Sequence, residues 1–213
     1  MRRSTKARRG RRGPAAAGGL ADALVVAAAA LISERGPSGF SLREVARRAH
    51  VSEAAPYWHF ADKEALLAAV AEQGFVGLAA AMTRVQERVK APRQRLRELG
   101  IAYVRFALEH PSHLRIMFGP EIGDKTAHPT LHAAAERAFG LLVHAVADAQ
   151  QAGQVRSGQP EELAVSAWAL VHGLSALLID GQLRTRVRTK RDAEVLAGRV
   201  ANLLQTGLAP DRG

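Results

Sequence analysis

Apolar residues recur at three- and four-residue spacing along nearly the whole chain after residue 19, beginning with Leu20, Leu24, Ala28 and Leu31. This spacing places apolar side chains on one face of an α-helix. No segment of any length alternates apolar and polar residues as a half-buried β-strand does, and no internal repeat is found. The 19 glycines and 9 prolines among 213 residues leave room for long helices. The sequence therefore predicts an all-α protein.

Helix boundaries are indicated by capping and breaking residues. Gly36, followed by a proline, ends the first helix, and Ser41 with Glu44 forms a capping box that starts the second. Ser52 is a good N-cap for a short third helix, and Asp62 caps a long fourth one. The predicted helices, nine in all, cover about residues 20–35, 42–49, 53–60, 63–90, 93–109, 111–118, 129–152, 160–183 and 190–206.

The formal net charge of +10 is concentrated at the N-terminus. Residues 1–19 contain seven arginines and lysines and no acid, residues 20–63 are neutral, and the remaining 150 residues carry +3. A basic stretch rich in Gly and Ala cannot bury enough apolar surface to order itself. We therefore expect a disordered basic arm over residues 1–19, with a polyanion as its partner.

Cysteine usage and apolar runs indicate the compartment. The absence of cysteine excludes a disulfide scaffold, a thiol nucleophile and thiolate zinc sites, and it fits a reducing cytoplasm. The run 24–32 imitates the apolar part of a signal peptide, but it continues without a break into the helical pattern that follows, so cleavage would delete the first helix. The run 164–179 has 16 residues, fewer than the roughly 20 that span a bilayer. We expect a cytoplasmic protein with no membrane partner.

Residues 42–60 have the spacing of a helix-turn-helix: a helix, a three-residue turn and a short second helix. This arrangement places one helix in the major groove of DNA, although any compact helical hairpin can imitate the spacing. The surrounding side chains favour DNA binding. Tyr57 and His59 are donors near the end of the short helix. Lys63 starts the next helix, and Arg43 starts the one before the turn. Because a helix N-terminus attracts phosphate, we interpret these four residues as contacts to the DNA backbone.

The segment from residue 40 to residue 67, FSLREVARRAHVSEAAPYWHFADKEALL, resembles the DNA-binding domain of the TetR family of transcriptional regulators. The resemblance covers about residues 20–70 and rests on SLREVARRAHVS, YWHF and DKEALL. It implies that Arg43 and the short helix from Glu53 to Tyr57 face base edges. It also implies that Tyr57, His59 and Lys63 hold phosphates. The residues assigned to DNA are Arg43, Ser52, Glu53, Ala54, Ala55, Tyr57, His59 and Lys63.

Two features depart from the family's pattern. His50 stands in the turn where the family usually carries glycine, and histidine tolerates the left-handed conformation better than most side chains. Glu53, Ala54 and Ala55 offer only one acceptor and two methyl-sized contacts to base edges. Sequence readout is therefore expected to depend on Arg43, on thymine methyl groups and on the minor groove.

The C-terminal part resembles the ligand domain of a TetR subgroup marked by a Trp, a His and a Gly. The resemblance is carried by HPSHLRIMF at residues 110–118 and by AWALVHG at residues 167–173. It implies a homodimer built on the eighth and ninth predicted helices, about 160–183 and 190–206. It also implies a cavity for a small-molecule effector between the fifth, seventh and eighth helices. The composition of the eighth helix supports this arrangement. The helix is apolar on all sides, so both of its sides must be covered by protein.

Trp168 and His172 lie four residues apart and therefore share a helix face. Two interpretations remain open: a buried Trp whose neighbouring His satisfies a backbone group, or a direct contact with an effector. His128 and His132 have the spacing of a metal pair, but Pro129 places His128 at a helix cap, and we expect neither a metal nor a cofactor. Residues such as Tyr103, Phe106, Met117, Phe118 and Phe139 are more often found in a core than in contact with a ligand. Together with Trp168 and His172 they are the candidate pocket residues.

These features predict a ligand-responsive DNA-binding regulator, a repressor that a small apolar effector releases from a palindromic operator. We expect a basic arm over residues 1–19, a DNA-binding domain over 20–70 and an effector-binding and dimerisation domain over 71–213. One alternative is a protein that packs DNA through its arm regardless of sequence. The other is an all-α enzyme, but the sequence lacks the serine-hydrolase, phosphate-loop, dinucleotide and paired-histidine zinc motifs.

Overall fold

The computed structural model describes residues 19–207, and in that part of the chain every regular element is helical, which confirms the all-α prediction. The predicted basic arm lies outside these residues, apart from Gly19. Two short 3₁₀ turns, Ala55–Trp58 and Lys125–Ala127, lie between the α-helices. The described α-helices are α1 (Leu20–Arg35), α2 (Leu42–Arg48), α3 (Lys63–Arg88), α4 (Pro92–Glu109), α5 (Pro111–Phe118), α6 (Pro129–Gln151), α7 (Pro160–Ile179) and α8 (Lys190–Gly207).

The predicted signals at the ends of α1, α2 and α3 are present. Ser41 Oγ accepts a hydrogen bond from the Glu44 backbone N–H at 3.3 Å, and the Glu44 carboxylate accepts one from the Ser41 N–H at 2.9 Å. Asp62 caps α3 by accepting from the Ala65 N–H at 2.8 Å. Gly36 ends α1 with a φ of 76°. Because these bonds satisfy backbone donors at helix N-termini, they fix where α2 and α3 begin.

The third predicted helix, 53–60, is wrong in type and extent. The backbone there forms the 3₁₀ turn Ala55–Trp58, in which the Ala55 N–H donates to the Ser52 carbonyl at 2.9 Å. Pro56 has no N–H and cannot make the i→i−4 bond that an α-helix would require of it. The Ser52 side chain forms no capping hydrogen bond to this segment, so its predicted role as N-cap is also wrong.

The eighth predicted helix ends earlier than expected because Gly181 stops it. Gly181 adopts a φ of 73°, and its N–H donates to the Leu178 carbonyl. The next N–H, from Gln182, donates to the Leu177 carbonyl. These two bonds form the Schellman arrangement that closes many helices at a left-handed glycine. The helix, α7, therefore ends at Ile179 rather than near residue 183.

The long helix α3 joins the N-terminal and C-terminal parts of the chain. It packs against α1 on one side and against α4, α5 and α6 further along. Its buried residues extend from Leu66 to Val85 and belong to one apolar core that reaches from α1 to α8. The domain boundary expected near residue 70 falls inside α3, so any displacement of this helix affects both parts of the protein.

Two helices, α3 and α7, are long and apolar enough to cross a membrane by length and composition alone. Most of the apolar side of α3 is buried in the core. In contrast, α7 buries one face and exposes an apolar stripe that includes Leu170 and Leu177, which lie seven residues apart on one side of the helix. Within residues 19–207 only one side of α7 is covered, and an apolar stripe of this kind marks a contact surface.

Candidate DNA interface and ligand cavity

Residues 20–62 form a small helical unit, called the head below, in which α2 packs against α1 and against the first 3₁₀ turn. The turn after α2 passes through His50, whose φ of 57° is the left-handed conformation considered for this position. The Val51 N–H donates to the Ala46 carbonyl at 3.0 Å and closes the turn. Val45 and Ala46 are fully buried beneath it. Backbone hydrogen bonds and core packing therefore fix the angle between α2 and the segment that follows.

Two ion pairs hold α2 on α1. Arg35 lies 2.9 Å from Glu44, and the Arg48 guanidinium donates to Glu34 at 2.7 Å. The hydrogen bond from Arg48 holds the pKa of Glu34 below its usual value, and the backbone N–H of Ser41 lowers the pKa of Glu44. Because these groups lie at the surface, they contribute little to stability and act mainly by orienting α2.

Arg43 on α2 and Glu53 before the 3₁₀ turn project from the same side of the head. Their side chains are 70% and 57% exposed, and Arg43 Nε lies 3.9 Å from the nearer Glu53 oxygen. Ser52 and Ala54 are exposed beside Glu53. The structure thus brings together four of the residues assigned to DNA, and the weakly paired guanidinium can turn toward an acceptor on a base edge.

An aromatic surface follows on the 3₁₀ turn. Tyr57 is 53% exposed and Trp58 is 75% exposed, and His59 is exposed as well. Large aromatic side chains that adjoin one another at the surface mark a contact site. Trp58 is not among the residues predicted to contact DNA. The spacing of the apolar residues could have indicated that Trp58 is exposed. Pro56 and Phe60, two residues before and two residues after it, are the residues that are buried.

Ala55 does not belong to this surface. It is only 2% exposed, and it lies in the core of the head beside the buried Pro56. The prediction that Ala55 faces a base edge is therefore wrong. The physical reason is that Ala55 and Pro56, the first two residues of the 3₁₀ turn, pack into the core of the head. Only Ser52, Glu53 and Ala54, which precede the turn, remain exposed there.

Lys63 is engaged within the protein. Its Nζ donates to the Phe40 carbonyl at 2.8 Å and to the Ser38 carbonyl at 3.4 Å, and it lies 4.3 Å from the centroid of the Phe40 ring. These contacts tie the N-terminus of α3 to the loop before α2. The sequence predicts a phosphate contact for Lys63, whereas the structure shows a positioning role and leaves one of the three ammonium hydrogens for a phosphate.

A cavity of about 260 Å³ lies between α3, α4, α6 and α7, with Phe118 of α5 in its wall. A smaller cavity of about 50 Å³ adjoins it, and the two share Met82, Tyr103, Leu142 and Trp168. The lining of the larger cavity is almost entirely apolar. It consists of Phe75, Leu78, Met82, Tyr103, Phe118, Ala135, Glu136, Ala138, Phe139, Leu142, Val165 and Trp168.

Tyr103, Trp168 and His172 form a hydrogen-bonded group beside the two cavities. The Trp168 Nε1–H donates to the Tyr103 oxygen at 3.3 Å, and the Tyr103 hydroxyl shares a 2.8 Å hydrogen bond with His172 Nδ1. Burial lowers the pKa of His172 and raises the pKa of Tyr103, so the imidazole is neutral and the phenol protonated at neutral pH. His172 therefore satisfies a side chain rather than a backbone group, while Trp168 lines both cavities.

Four of the seven predicted pocket residues line the larger cavity, namely Tyr103, Phe118, Phe139 and Trp168. The fifth, His172, is outside the lining. Its ring centroid lies 4.6 Å from that of Phe118 and 5.9 Å from that of Trp168. His172 consequently supports the aromatic wall from behind.

Phe106 and Met117 do not line the larger cavity, and their prediction as pocket residues beside Trp168 is wrong. Met117 is fully buried and packs closely on Gly74 of α3. Phe106 packs over Gly77 of the same helix, with its ring centroid 4.8 Å from that of His110. Each of the two side chains occupies the space that an α3 glycine leaves open, which directs it away from the cavity.

The sequence did not predict that α3 supplies a cavity wall. Phe75, Leu78 and Met82 lie at three- and four-residue spacing on one face of α3 and line the larger cavity. The cavity was predicted between the helices that the structure shows as α4, α6 and α7, with two pocket residues on α5 and none on α3. The available signal was length, because a helix of 26 residues extends well beyond the head and must continue beneath the other helices.

The loop between α5 and α6 contacts the end of α3 that adjoins the head. Glu64 Oε1 accepts from the Gly123 N–H at 3.3 Å and lies 3.7 Å from His128 Nε2. His132, four residues beyond His128, is exposed. Among residues 19–207 no three His, Asp or Glu side chains are arranged to hold a metal ion.

A helix-turn-helix head that exposes Arg43 and an aromatic pair, joined by one long helix to a bundle of further helices, defines a DNA-binding regulator. Two family models match the chain: "Bacterial regulatory proteins, tetR family" over residues 24–70, and "Tetracyclin repressor-like, C-terminal domain" over residues 96–203. The protein belongs to the TetR family. It is accordingly a DNA-binding transcriptional regulator and not an enzyme.

Solved structures share the fold over nearly the whole chain. A protein of unknown function from Rhodococcus sp. RHA1 is 34% identical, with 92% of this chain and 98% of that one covered and a TM-score of 0.79. A TetR-family regulatory protein from Rhodococcus RHA1 is 20% identical over 90% and 98% of the two chains, with a TM-score of 0.70. The regulator FadR from Bacillus subtilis, solved in complex with stearoyl-CoA, is 14% identical over 88% and 98%, with a TM-score of 0.73. A comparison with curated proteins finds no match.

Proposed function

We propose that the protein is a ligand-responsive repressor, which binds a near-palindromic operator as a homodimer and is released by a small apolar effector. The observation that carries this proposal is the position of α5. This helix places Phe118 in the wall of the larger cavity, and it also packs against α1 of the head. A molecule that enters the cavity therefore meets a helix in direct contact with the DNA-binding unit.

The head offers separate groups for base edges and for phosphates. Arg43 and residues 52–54 face the major groove, where a guanidinium can bind guanine through two hydrogen bonds. Tyr57, His59 and the remaining ammonium hydrogen of Lys63 contact phosphates, which position the head without reading sequence. The N-terminus of α3 adds a partial positive charge at the same place.

Exposed apolar residues on α7 and α8 support a homodimer through these two helices. Leu170 and Leu177 are exposed on α7, and Val195 and Leu203 are exposed on α8. Contact with a second copy removes this apolar surface from water on both chains. A two-fold axis then places the two heads on the same face of the duplex. The segments that enter the major groove lie about 34–36 Å apart, which is one turn of the DNA helix.

Release requires that the effector binds more tightly to a conformation in which the separation of the two heads does not match the spacing of the two operator half-sites. Both α3 and α5 border the cavity, and both contact α1 of the head. A typical coupling of about 1–3 kcal/mol between the two sites weakens operator binding about 5–150-fold. By reciprocity, operator DNA weakens effector binding by the same factor.

The proposal assigns residues 20–70 to DNA binding and residues 71–213 to effector binding and dimerisation. Residues 1–19, with seven basic side chains and no acid, raise the affinity for any duplex through counterion release. The protein acts in the cytoplasm. The charge of the arm also favours one alternative, a DNA-packing protein that ignores sequence.

Selection of DNA by the purified protein, followed by footprinting, tests the proposal. We expect a two-fold symmetric site that binds one dimer at least about 10³-fold more tightly than a scrambled duplex of the same length. Fluorescence anisotropy at fixed salt measures both dissociation constants. Equal affinities for the selected and the scrambled duplex would favour the DNA-packing alternative and overturn the repressor.

A further inference from the structure

The larger cavity has one charged residue in its lining. Glu136 on α6 is exposed, and so is Val165 on α7, so these two residues mark where the cavity opens to solvent. No basic residue lines either of the two adjoining cavities in the described part of the chain. Arg137, the next residue on α6, lines a separate groove between α3 and α6. The opening therefore carries a negative charge that no basic group of the cavity lining neutralises.

The inner wall is built from aromatic rings, those of Phe75, Tyr103, Phe118, Phe139 and Trp168. The Trp168 ring centroid lies 5.4 Å from that of Phe118 and 6.0 Å from that of Phe139, with the ring planes at 48° and 57°. The tilted rings present both faces and edges to neighbouring groups. Because the face of an aromatic ring is the negative pole of its quadrupole, such walls attract ammonium groups, and methylated ammonium most of all in cages of several rings.

The same wall offers almost no hydrogen-bond donor. The Trp168 N–H already donates to Tyr103. If the Tyr103 hydroxyl donates to His172, no side-chain donor remains on the cavity lining; if His172 donates instead, the Tyr103 hydroxyl is the single donor left. A carboxylate or phosphate inside this cavity would lose its water without gaining charged or multiple partners, which is strongly unfavourable.

We propose that the effector is an apolar monocation, a quaternary or protonated tertiary amine. Its hydrocarbon part fills the cavity, and its cationic group lies between the aromatic rings and the Glu136 carboxylate. This inference rests on the proposed function, because it names the class of molecule for the same cavity. The volume of about 260 Å³ limits the effector to a small body, at the lower end of ligand sites. In charge this effector is the opposite of stearoyl-CoA, with which the FadR structure was solved.

Three probes with the same tail and different head groups test the class: octyltrimethylammonium, octanol and octanoate. The chain contains two tryptophans, Trp58 in the head and Trp168 in the cavity wall, so a Trp58→Phe variant leaves Trp168 as the sole reporter. We expect octyltrimethylammonium to saturate the Trp168 fluorescence change at a concentration about tenfold lower than octanol does, a difference of about 1.4 kcal/mol. Octanoate should bind most weakly of the three.

A matched pair of variants tests whether the Glu136 carboxylate is the charge that attracts the cation. In the same background, Glu136→Gln should weaken octyltrimethylammonium binding about three- to tenfold and leave octanol binding unchanged. Glu162→Gln removes an equal charge from an exposed position on α7 outside both cavity linings and should change neither. The preference for the cation should also shrink as salt is raised, because Glu136 is exposed and its field is screened.

The outcomes separate this inference from the function on which it rests. Tighter binding of octanoate than of octyltrimethylammonium, or an undiminished cation preference in Glu136→Gln, would overturn the cationic class and leave an effector cavity in place. The absence of a saturable Trp168 response to all three probes would contradict both the cationic effector and the cavity as the effector site.

Discussion

Tyr103 on α4 and His172 on α7 share a hydrogen bond of 2.8 Å between the phenol oxygen and Nδ1. Trp168, one helical turn before His172, donates to the same oxygen. Because Tyr103 and Trp168 line both cavities, this single oxygen couples two cavity-lining side chains from different helices. A change at any of the three residues therefore alters the shape and the polarity of the wall.

Replacing Tyr103 with Phe should destabilise the protein. The change leaves the Trp168 N–H and His172 Nδ1 without their partner in a largely buried place, so we expect the free energy of unfolding to fall by about 1–3 kcal/mol. Denaturant unfolding measures this quantity. Tyr57→Phe, which removes an exposed hydroxyl, is the matched control and should change it by less than about 0.5 kcal/mol. If both variants unfold at the same denaturant concentration as the wild type, the shared oxygen contributes nothing.

Acidification should destabilise the protein through two partly buried histidines. Burial lowers the pKa of both His172 and His113 in the folded state, whereas an unfolded histidine titrates near about 6.5. The unfolded chain therefore binds protons first. The histidine contribution to the free energy of unfolding is complete above about pH 7 and is lost as the pH falls from about 6.5 through the folded-state pKa values.

The histidine variants give this pH dependence a control. His172→Asn removes one of the two titrations, so the decrease in unfolding free energy below about pH 6.5 should become less steep. His132→Asn, at an exposed position on α6, should leave the slope as it is in the wild type. Urea unfolding at closely spaced pH values measures the slope. An identical slope in His172→Asn and in the wild type would contradict the assignment.

The parts of the fold that depend on neighbouring residues in sequence could be predicted. The Ser41–Glu44 capping box and the Asp62 cap act over three residues, and both were found from the sequence. The errors arose where one residue overrode the pattern. Pro56 prevents an α-helix over residues 53–60, and Gly181 ends α7 before its apolar pattern ends.

The parts of the site that depend on tertiary packing could not be predicted. Arg43 and Tyr57 are exposed as the motif predicts. The burial of Ala55, in contrast, depends on the packing of the core of the head, which the motif does not specify. The lining of the pocket also depends on tertiary packing. Phe106 was predicted to line it and does not, because its packing partner is Gly77 of a distant helix, whereas Leu78 on that helix does line it.

Lys63→Ala should weaken binding to operator and to scrambled DNA by similar factors. The variant removes the proposed phosphate contact and also loosens the loop around Phe40. We therefore expect the salt slope of binding to decrease in magnitude by about 0.9 for each phosphate that is no longer neutralised. Lys90→Ala, which removes an exposed charge two residues beyond the C-terminal end of α3, is the control. Unchanged operator affinity in Lys63→Ala would show that Lys63 neither contacts phosphate nor positions a group that does.

Deletion of residues 1–18 should reduce affinity for operator and scrambled duplexes alike. The deleted segment carries all seven basic residues of the arm, and such charges act on any duplex by counterion release. Anisotropy titrations at several salt concentrations measure both affinities and their salt slopes. A loss confined to operator DNA would instead show that the arm reads the minor groove.

Under the proposed function, occupancy of the cavity controls operator affinity. A side chain that fills the cavity tests this control without knowledge of the effector. Ala138 is 4% exposed and lines the cavity, whereas Ala133 is exposed on the same helix. Anisotropy with the selected operator should show Ala138→Phe bound about 5–150-fold more weakly than Ala133→Phe, with scrambled DNA bound equally by both. Thermal unfolding confirms that both variants are folded. Equal operator affinity in the two folded variants would contradict control of operator binding by occupancy of the cavity.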